Sequence, residues 1–515
     1  MINEINIGQA LTNRAYLSPH REAIVDLETR RRISFSELNS QANRCCNFIT
    51  DLGVGKGDRL AILSQNRPEF YESFFGPAKA GIVLMPLNWR LTPDELAFIL
   101  KDGGATAIIF DDEFAPVIEE IRARGSDGSD LEHFICIGDK CPEFANNYQQ
   151  LCLNASEQEP EGAAEAQDNL FIMYTSGTTG HPKGVVHTHG TVFWALLTLN
   201  NSGDTRASDN YLVLLPLFHV GALTPMISGI YRGNTEIIMR AFDPVAVWRC
   251  IEEEKVNTTL AVPAMLGFML QVPNLSEFDS SSLRYISSGA APLPVSTIEA
   301  YAALNIEIHQ VYGMTETCGP ACIIGPDDAI NKIGSTGKSF FHTAVRVVDG
   351  DGNDQPPDIA GEVIVQGPHI MKEYWNRPDA TAEAVVDGWL YTGDIATMDA
   401  EGFVTIADRK KDMIISGGEN VYPAEIENVL LQHPDIIDAA VIGQLSDKWG
   451  ESPLAVVVSD NSALAMAEVI EHCNGKLARY KQPRSVEFIE TIPRNPSGKI
   501  LKRVLREQFP GPAQE

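Results

Sequence analysis

Short runs of consecutive apolar side chains alternate with longer segments of mixed polarity along most of the chain. The stretch 58–63 (Asp-Arg-Leu-Ala-Ile-Leu) has the make-up of a strand buried on both faces, and 69–75 reads as a helix behind it. Residues 81–87 are strand again. Thr92 then stands as N-cap with Pro93 at the first helical position, opening a helix through Glu95 and Leu96. The run 105–110 (Ala-Thr-Ala-Ile-Ile-Phe) is a further buried strand. This rhythm predicts a layered α/β domain with parallel sheets. The most apolar stretch, 211–231, is broken by Pro216, His219, Gly221, Pro225 and Gly229. It reads as a buried strand, a pocket-lining loop and a helix, and no transmembrane segment is expected.

Two places interrupt the alternation. Residues 154–167 are acidic and alanine-rich and read as a surface linker. Residues 408–412 (Asp-Arg-Lys-Lys-Asp) place five charges between the strand-like runs 403–406 and 413–415, an exposed turn or a hinge. About a hundred residues with their own helix–strand alternation follow, a normal size for a small α+β domain. The expected division is therefore 1–410 and 411–515.

With 515 residues the chain exceeds one hydrophobic core. A formal net charge of −29 repels nucleic acid and anionic membranes, which are not expected as general partners. Its nine cysteines are scattered without CxxC or Cys/His spacing, as in a reduced, cytoplasmic chain. No apolar signal segment opens the sequence. An anionic substrate would need a local island of positive potential.

The loop 174–184 supplies one. It follows the apolar run 170–173 and holds three glycines, the four hydroxyls of Thr175, Ser176, Thr178 and Thr179, and Lys183. Glycines such as Gly177 let backbone N–H groups surround an anion, while hydroxyls add donors and Lys183 adds charge. Pro182 before the lysine and Gly184 after it exclude a Walker A motif. A flexible linker is the bland alternative, and linkers seldom sit between an apolar strand and an aromatic run such as 192–197.

The loop resembles the signature of the adenylate-forming superfamily: acyl-CoA synthetases, aryl-CoA ligases, luciferases and peptide-synthetase adenylation domains. The resemblance runs from about Pro19 to Gln508, and it is nearest to bacterial fatty-acyl-CoA synthetases and feruloyl- and coumaroyl-CoA ligases. It implies a large N-terminal domain, a smaller mobile C-terminal domain, and ATP, Mg²⁺ and coenzyme A as ligands. By this resemblance Thr315 donates to the α-phosphate and Glu316 holds the metal, within the run 311–317. Gly289, Ala290 and Ala291 border the adenine and the acyl chain, and Tyr312 stacks on the base. Asp394 accepts from the ribose hydroxyls, Arg409 also reaches the ribose, and Lys411 is the hinge. Lys499, on the loop 493–503, matches the family's catalytic lysine. Gly417 and Gly418 would lie beside the thiol path, and Lys502 and Arg503 read as a solvated basic cluster.

For the acyl group, His219 is either a gate at the carboxylate or a packed core histidine. Gly313 stands where acetate-specific relatives carry a tryptophan, so a larger acyl group is expected. Val220, Ala222, Met226, Ala290 and Met314 would line an apolar pocket. The implied activity is an AMP-forming acid–thiol ligase for a medium- or long-chain fatty acid. The alternatives are an aryl-CoA ligase and, behind it, an enzyme loading a carrier protein; a homodimer stays open. A nucleotide-binding scaffold would have lost Lys499, Glu316 or Asp394, and all three are present.

Overall fold

The computed structural model describes residues 5–175, 182–291, 293–409, 411–416, 419–446, 449–494 and 500–511. Among these, the strands form sheets of eight, nine, five and five strands. In the eight-stranded sheet Arg59–Leu63 lies between Val83–Pro86 and Ala105–Asp111, all parallel, as the double-sided apolar runs require. Asn169–Thr175 joins them in parallel, and Lys183–Thr188 and Glu373–Tyr374 close one edge in antiparallel pairing. The nine-stranded sheet has a parallel centre that includes Asn210–Val213, Tyr285–Ser288 and Glu307–Tyr312. Helices Phe35–Asp51, Pro68–Lys79, His189–Ser202 and Val220–Arg232 fill the space between these sheets. They bury Phe70, Phe74, Phe75, Leu196 and Met226 completely. Burial of each such side chain contributes about 1.5–3 kcal/mol.

The helix anticipated after Thr92 spans Pro93–Gly103, with Thr92 and Glu95 in a reciprocal capping box and Gly104 at φ +65° ending it. The third sheet departs from the parallel expectation. Ala344–Val348, Gly361–Gln366, Trp389–Met398 and Val404–Arg409 pair antiparallel. The fourth sheet, with Gly450–Val458 at its centre and Asp438–Ser446 at one edge, forms the smaller C-terminal domain together with helices Pro423–Leu430 and Met466–Cys473. No helix among the described residues is long and apolar enough to cross a membrane.

The acidic segment before the phosphate loop is bound down rather than free. Arg44 donates to the carbonyls of Cys152 and Ala155, Asn43 to that of Glu157, and Asn47 to those of Ser156 and Gln158. The fully buried Lys79 ammonium reaches Asn39, Asn43 and Glu159 at 2.7, 2.6 and 3.0 Å. One polar face of helix Phe35–Asp51, with Lys79 of the next helix, thus holds the first part of this segment. The reading of Lys502 as solvated is corrected: it is 9% exposed and lies 3.0 Å from Glu427 and 3.6 Å from Asp408. Only a paired lysine tolerates such burial. Arg503 is exposed and pairs with Glu507.

Candidate active site

Asp394 and Arg409 face each other in register on neighbouring strands. Arg409 Nε lies 2.6 Å from Asp394 Oδ1, and the Tyr312 hydroxyl donates to Oδ2 at 2.7 Å. Thr392 Oγ1 accepts the Asp394 N–H and donates to the Val363 carbonyl, so the turn ahead of the carboxylate is fixed. Gly393, at φ +70°, makes that turn possible. Burial, then the Asp394 charge, pushes the Tyr312 phenol well up, so it remains a donor. Each carboxylate oxygen keeps a lone pair for an incoming hydroxyl.

Thr175 and Lys183 are opposite partners in the antiparallel pair that flanks the loop. Ser176, Gly177, Thr178 and Thr179 lie outside the described residues. Tyr174 and Arg377 both bond the Asp102 carboxylate at 2.7 Å, and Trp375 N–H donates to the Gly184 carbonyl at 2.7 Å. Both ends of the loop are thereby anchored. Lys183 Nζ sits 5.0 Å from the ring centroid of Tyr374, whose hydroxyl donates to Glu316 Oε1 at 2.7 Å.

The short turn Thr315–Thr317 carries the expected phosphate donor and metal carboxylate. Two fully buried histidines hold it. His187 Nε2–H donates to the Thr315 carbonyl at 2.7 Å, and His369 Nδ1–H to the Thr317 carbonyl at 2.9 Å. Burial brings each imidazole down to about 4, so both are neutral near pH 7. Met371 N–H adds a bond to the Glu316 carbonyl. Sequence reasoning missed His187, His369 and Tyr374. No three His, Cys, Asp or Glu side chains converge as a metal cage among the described residues. Glu316, 7% exposed and beside a phosphate loop, fits magnesium carried in on phosphate oxygens with a single protein carboxylate.

On the acyl side, a Cβ at Gly289 would come 2.5 Å from the Val311 carbonyl oxygen, so only glycine lets these strands approach. Ala290 follows at φ +71°, and Ala291 is half-buried. Asn66 accepts from Leu217 N–H and donates to the Leu215 carbonyl, fixing the segment that leads into His219. His219 stacks obliquely on Phe218 at 4.4 Å, and Phe218 meets Trp89 edge-on. Its buried Nε2 has no hydrogen-bond partner among the described residues. Burial, then the Arg90 charge, brings its imidazole to about 4. Val220 and Met314 are half-buried, and Ala222 and Met226 are packed into the main core. Thr224 turns the same helix toward the Cys318 carbonyl at 2.9 Å, which closes that side. A Cβ at Gly313 would coincide with the Gly319 carbonyl oxygen, so Gly313 is backed by main chain and not by open pocket.

Lys411 is exposed, and Asp412 and Met413 N–H both bond the Arg409 carbonyl. Gly417, Gly418 and Lys499 lie outside the described residues. Around them, Ser416 pairs with Glu419, and Arg494 bridges to Ile500.

The two polar clusters of this α/β fold are Asp394 with Arg409 and Tyr312, and Glu316 with Tyr374 beside Lys183. The chain belongs to the AMP-binding enzyme family: residues 11–375 match the model of the AMP-binding enzyme and residues 425–499 that of the AMP-binding enzyme C-terminal domain. It is 46% identical to a long-chain-fatty-acid–CoA ligase of Mycobacterium tuberculosis, over 98% of each chain. It is 38% identical to a feruloyl-CoA synthase of an Amycolatopsis species, over 98% of this chain and 99% of that one. Among solved structures, ATP-bound MatB from Rhodopseudomonas palustris is 30% identical, with a TM-score of 0.90 over 98% of this chain and 99% of that one.

Proposed function

We propose that the chain is an AMP-forming acid–thiol ligase that activates a carboxylic acid with ATP and passes the acyl group to coenzyme A. The observation that carries this reading is the pairing of two sub-sites: Asp394 with Arg409 and Tyr312 for a ribose, and Lys183 with Glu316 for phosphates. In the first step a carboxylate oxygen attacks the α-phosphorus, the new O–P bond forms, and pyrophosphate leaves. Thr315, with its carbonyl fixed by His187, presents its hydroxyl to the α-phosphate. Magnesium on Glu316 and phosphate oxygens would offset their charge. Lys499 bridges carboxylate and phosphate, a donor aimed where charge develops. In the second step the CoA sulfur attacks the acyl carbon, and AMP leaves with the oxygen that came from the acid.

The domains are 1–410 and 411–515, with Lys411 as pivot, and rotation takes Lys499 out and brings Gly417 and Gly418 to the thiol path. His219 gates the acid, since its open Nε2 is one that a satisfied core histidine would not show. A homodimer would leave this chemistry unchanged, because every group named comes from one chain. The acid is a medium- or long-chain fatty acid, supported by the 46% likeness to a long-chain ligase. An aryl acid is the second reading, favoured by the feruloyl-CoA relative. Pyrophosphate release is measured across acetate to palmitate plus ferulate. kcat/KM rising with chain length supports the first reading, a maximum at ferulate supports the second, and no release with any acid contradicts both.

A further inference from the structure

We infer that Tyr374 is a positioning residue that sets the metal carboxylate Glu316 and the phosphate lysine Lys183 at a fixed separation. The inference rests on the adenylate-forming reading and deepens it. Strand Glu373–Tyr374 pairs antiparallel with Lys183–Thr188 so that Tyr374 stands opposite Val185. Lys183, two positions from Val185, is on the same face of its strand, within reach of the ring on the diagonal. Its ammonium lies 5.0 Å from the ring centroid, a cation–π distance. The hydroxyl of the same ring donates to Glu316 Oε1 at 2.7 Å.

One rigid side chain therefore touches both charges. Among the described residues, Lys183 and Glu316 make no ion pair with each other. Direct contact would neutralise both groups before ATP arrived. The interposed ring keeps the cation on its face and the anion at its edge. The backbone is fixed on both sides of the ring: Tyr374 N–H donates to Thr381 Oγ1 at 2.9 Å, Trp375 N–H to the Gly184 carbonyl, and Met371 N–H to the Glu316 carbonyl. The segment that carries Tyr374 thus grips the end of the phosphate loop and the metal turn together.

Two variants separate the contacts. Tyr374→Phe keeps the ring under Lys183 and removes only the hydroxyl; Tyr374→Leu removes both. The probe is Mn²⁺ with an ATP analogue whose α–β bridge is a methylene group, read by electron paramagnetic resonance. Binding of the metal-free analogue is measured separately by fluorescence, and an unchanged circular dichroism melt checks the fold. Tyr374→Phe should weaken Mn²⁺ retention about ten-fold, the loss of one hydrogen bond to a charged group. Metal-free binding should stay within about two-fold of wild type, since the ring contact persists. Tyr374→Leu should weaken both. Wild-type Mn²⁺ retention by Tyr374→Phe, or equal losses of metal-free binding in the two variants, would overturn the inference. A wild type that binds neither the analogue nor its Mn²⁺ complex would overturn the nucleotide reading as well, a result distinct from either of these.

Discussion

The hydroxyl of Tyr312 donates to the carboxylate of Asp394 at 2.7 Å across 82 residues of sequence. The bond joins the last residue of a parallel strand in the nine-stranded sheet to an antiparallel strand of the third sheet. It is therefore where two sheets are registered against each other at the site. The ring thought of as a stacking surface is held by its hydroxyl, so its plane is set before any base arrives.

Loss of Asp394 removes the proposed ribose acceptor and leaves the Arg409 guanidinium without its 2.6 Å partner. Asp394→Ala should raise the KM for ATP far more than that for the acid, by roughly 1.5–3 kcal/mol per charged hydrogen bond lost. Tyr312→Phe should cost less. The double variant should cost less than the sum, because the two groups touch. An ATP KM unchanged in Asp394→Ala contradicts the ribose assignment.

The histidines behind the metal turn make a pH prediction. Their folded values, about 4 for His187 and His369, lie below the ordinary 6.5. As pH falls, the unfolded chain takes up these protons first. The stability they contribute is therefore full above about pH 6.5, is lost between 6.5 and 4, and falls no further below that. For His187 the drop of about 2.5 units corresponds to something on the order of 3 kcal/mol. Urea unfolding at pH 7, 5.5 and 4.5 should show a steep loss in wild type and a shallower one in His187→Gln. Equal slopes would mean that His187 is not held neutral by the fold.

Much of this architecture was legible because its signals are local. The strands near 60, 84 and 108 announce themselves as consecutive apolar residues, and Thr92 with Pro93 and Glu95 spells a helix start. The charged run at 408–412 overlaps the end of strand Val404–Arg409, which includes Asp408 and Arg409, and stops short of Ile414–Ser416. What escaped is non-local. His187 bonds the carbonyl of Thr315, 128 residues on, and a main-chain acceptor leaves no trace in side-chain pattern. Tyr374 looks like an ordinary strand aromatic until two distant charges meet it. The acidic segment 154–167 reads as a surface linker, because its anchors, Asn39, Asn43, Asn47 and Lys79, are scattered over two earlier helices. The backing of Gly313 by Gly319 depends on the turn between them, which composition does not specify.

That turn changes what a substitution at Gly313 does. The family resemblance suggests that Gly313→Trp would shift preference toward acetate or propionate. With the Gly319 carbonyl where a Cβ would go, even Gly313→Ala must displace the segment 317–319. Overpacking of this kind typically costs about 1–3 kcal/mol. Gly313→Ala should therefore lower kcat/KM for short and long acids alike. A selective loss for long acids only would restore the pocket-wall assignment.

Lys499→Ala separates the half-reactions. Adenylation brings a carboxylate to an anionic phosphate, and losing one preorganised donor there typically costs about 10²–10³ in rate. Thiolation attacks an acyl carbon and, in the proposed cycle, follows rotation of the small domain. With synthetic acyl-adenylate and CoA supplied, the variant should form thioester at nearly the wild-type rate. Equal losses in both steps would mean that the domains do not alternate or that another residue serves adenylation.

The central claim is that the acid's own oxygen becomes bonded to the α-phosphorus of ATP. It is tested most directly by giving the enzyme ATP, CoA and an acid labelled with ¹⁸O in both carboxylate positions, then analysing the nucleotide and phosphate products by mass spectrometry. One labelled oxygen per turnover should appear in AMP, with unlabelled pyrophosphate beside it, because thiolysis breaks the bond between acyl carbon and oxygen. Label in inorganic phosphate, with ADP as the nucleotide product, would contradict the account.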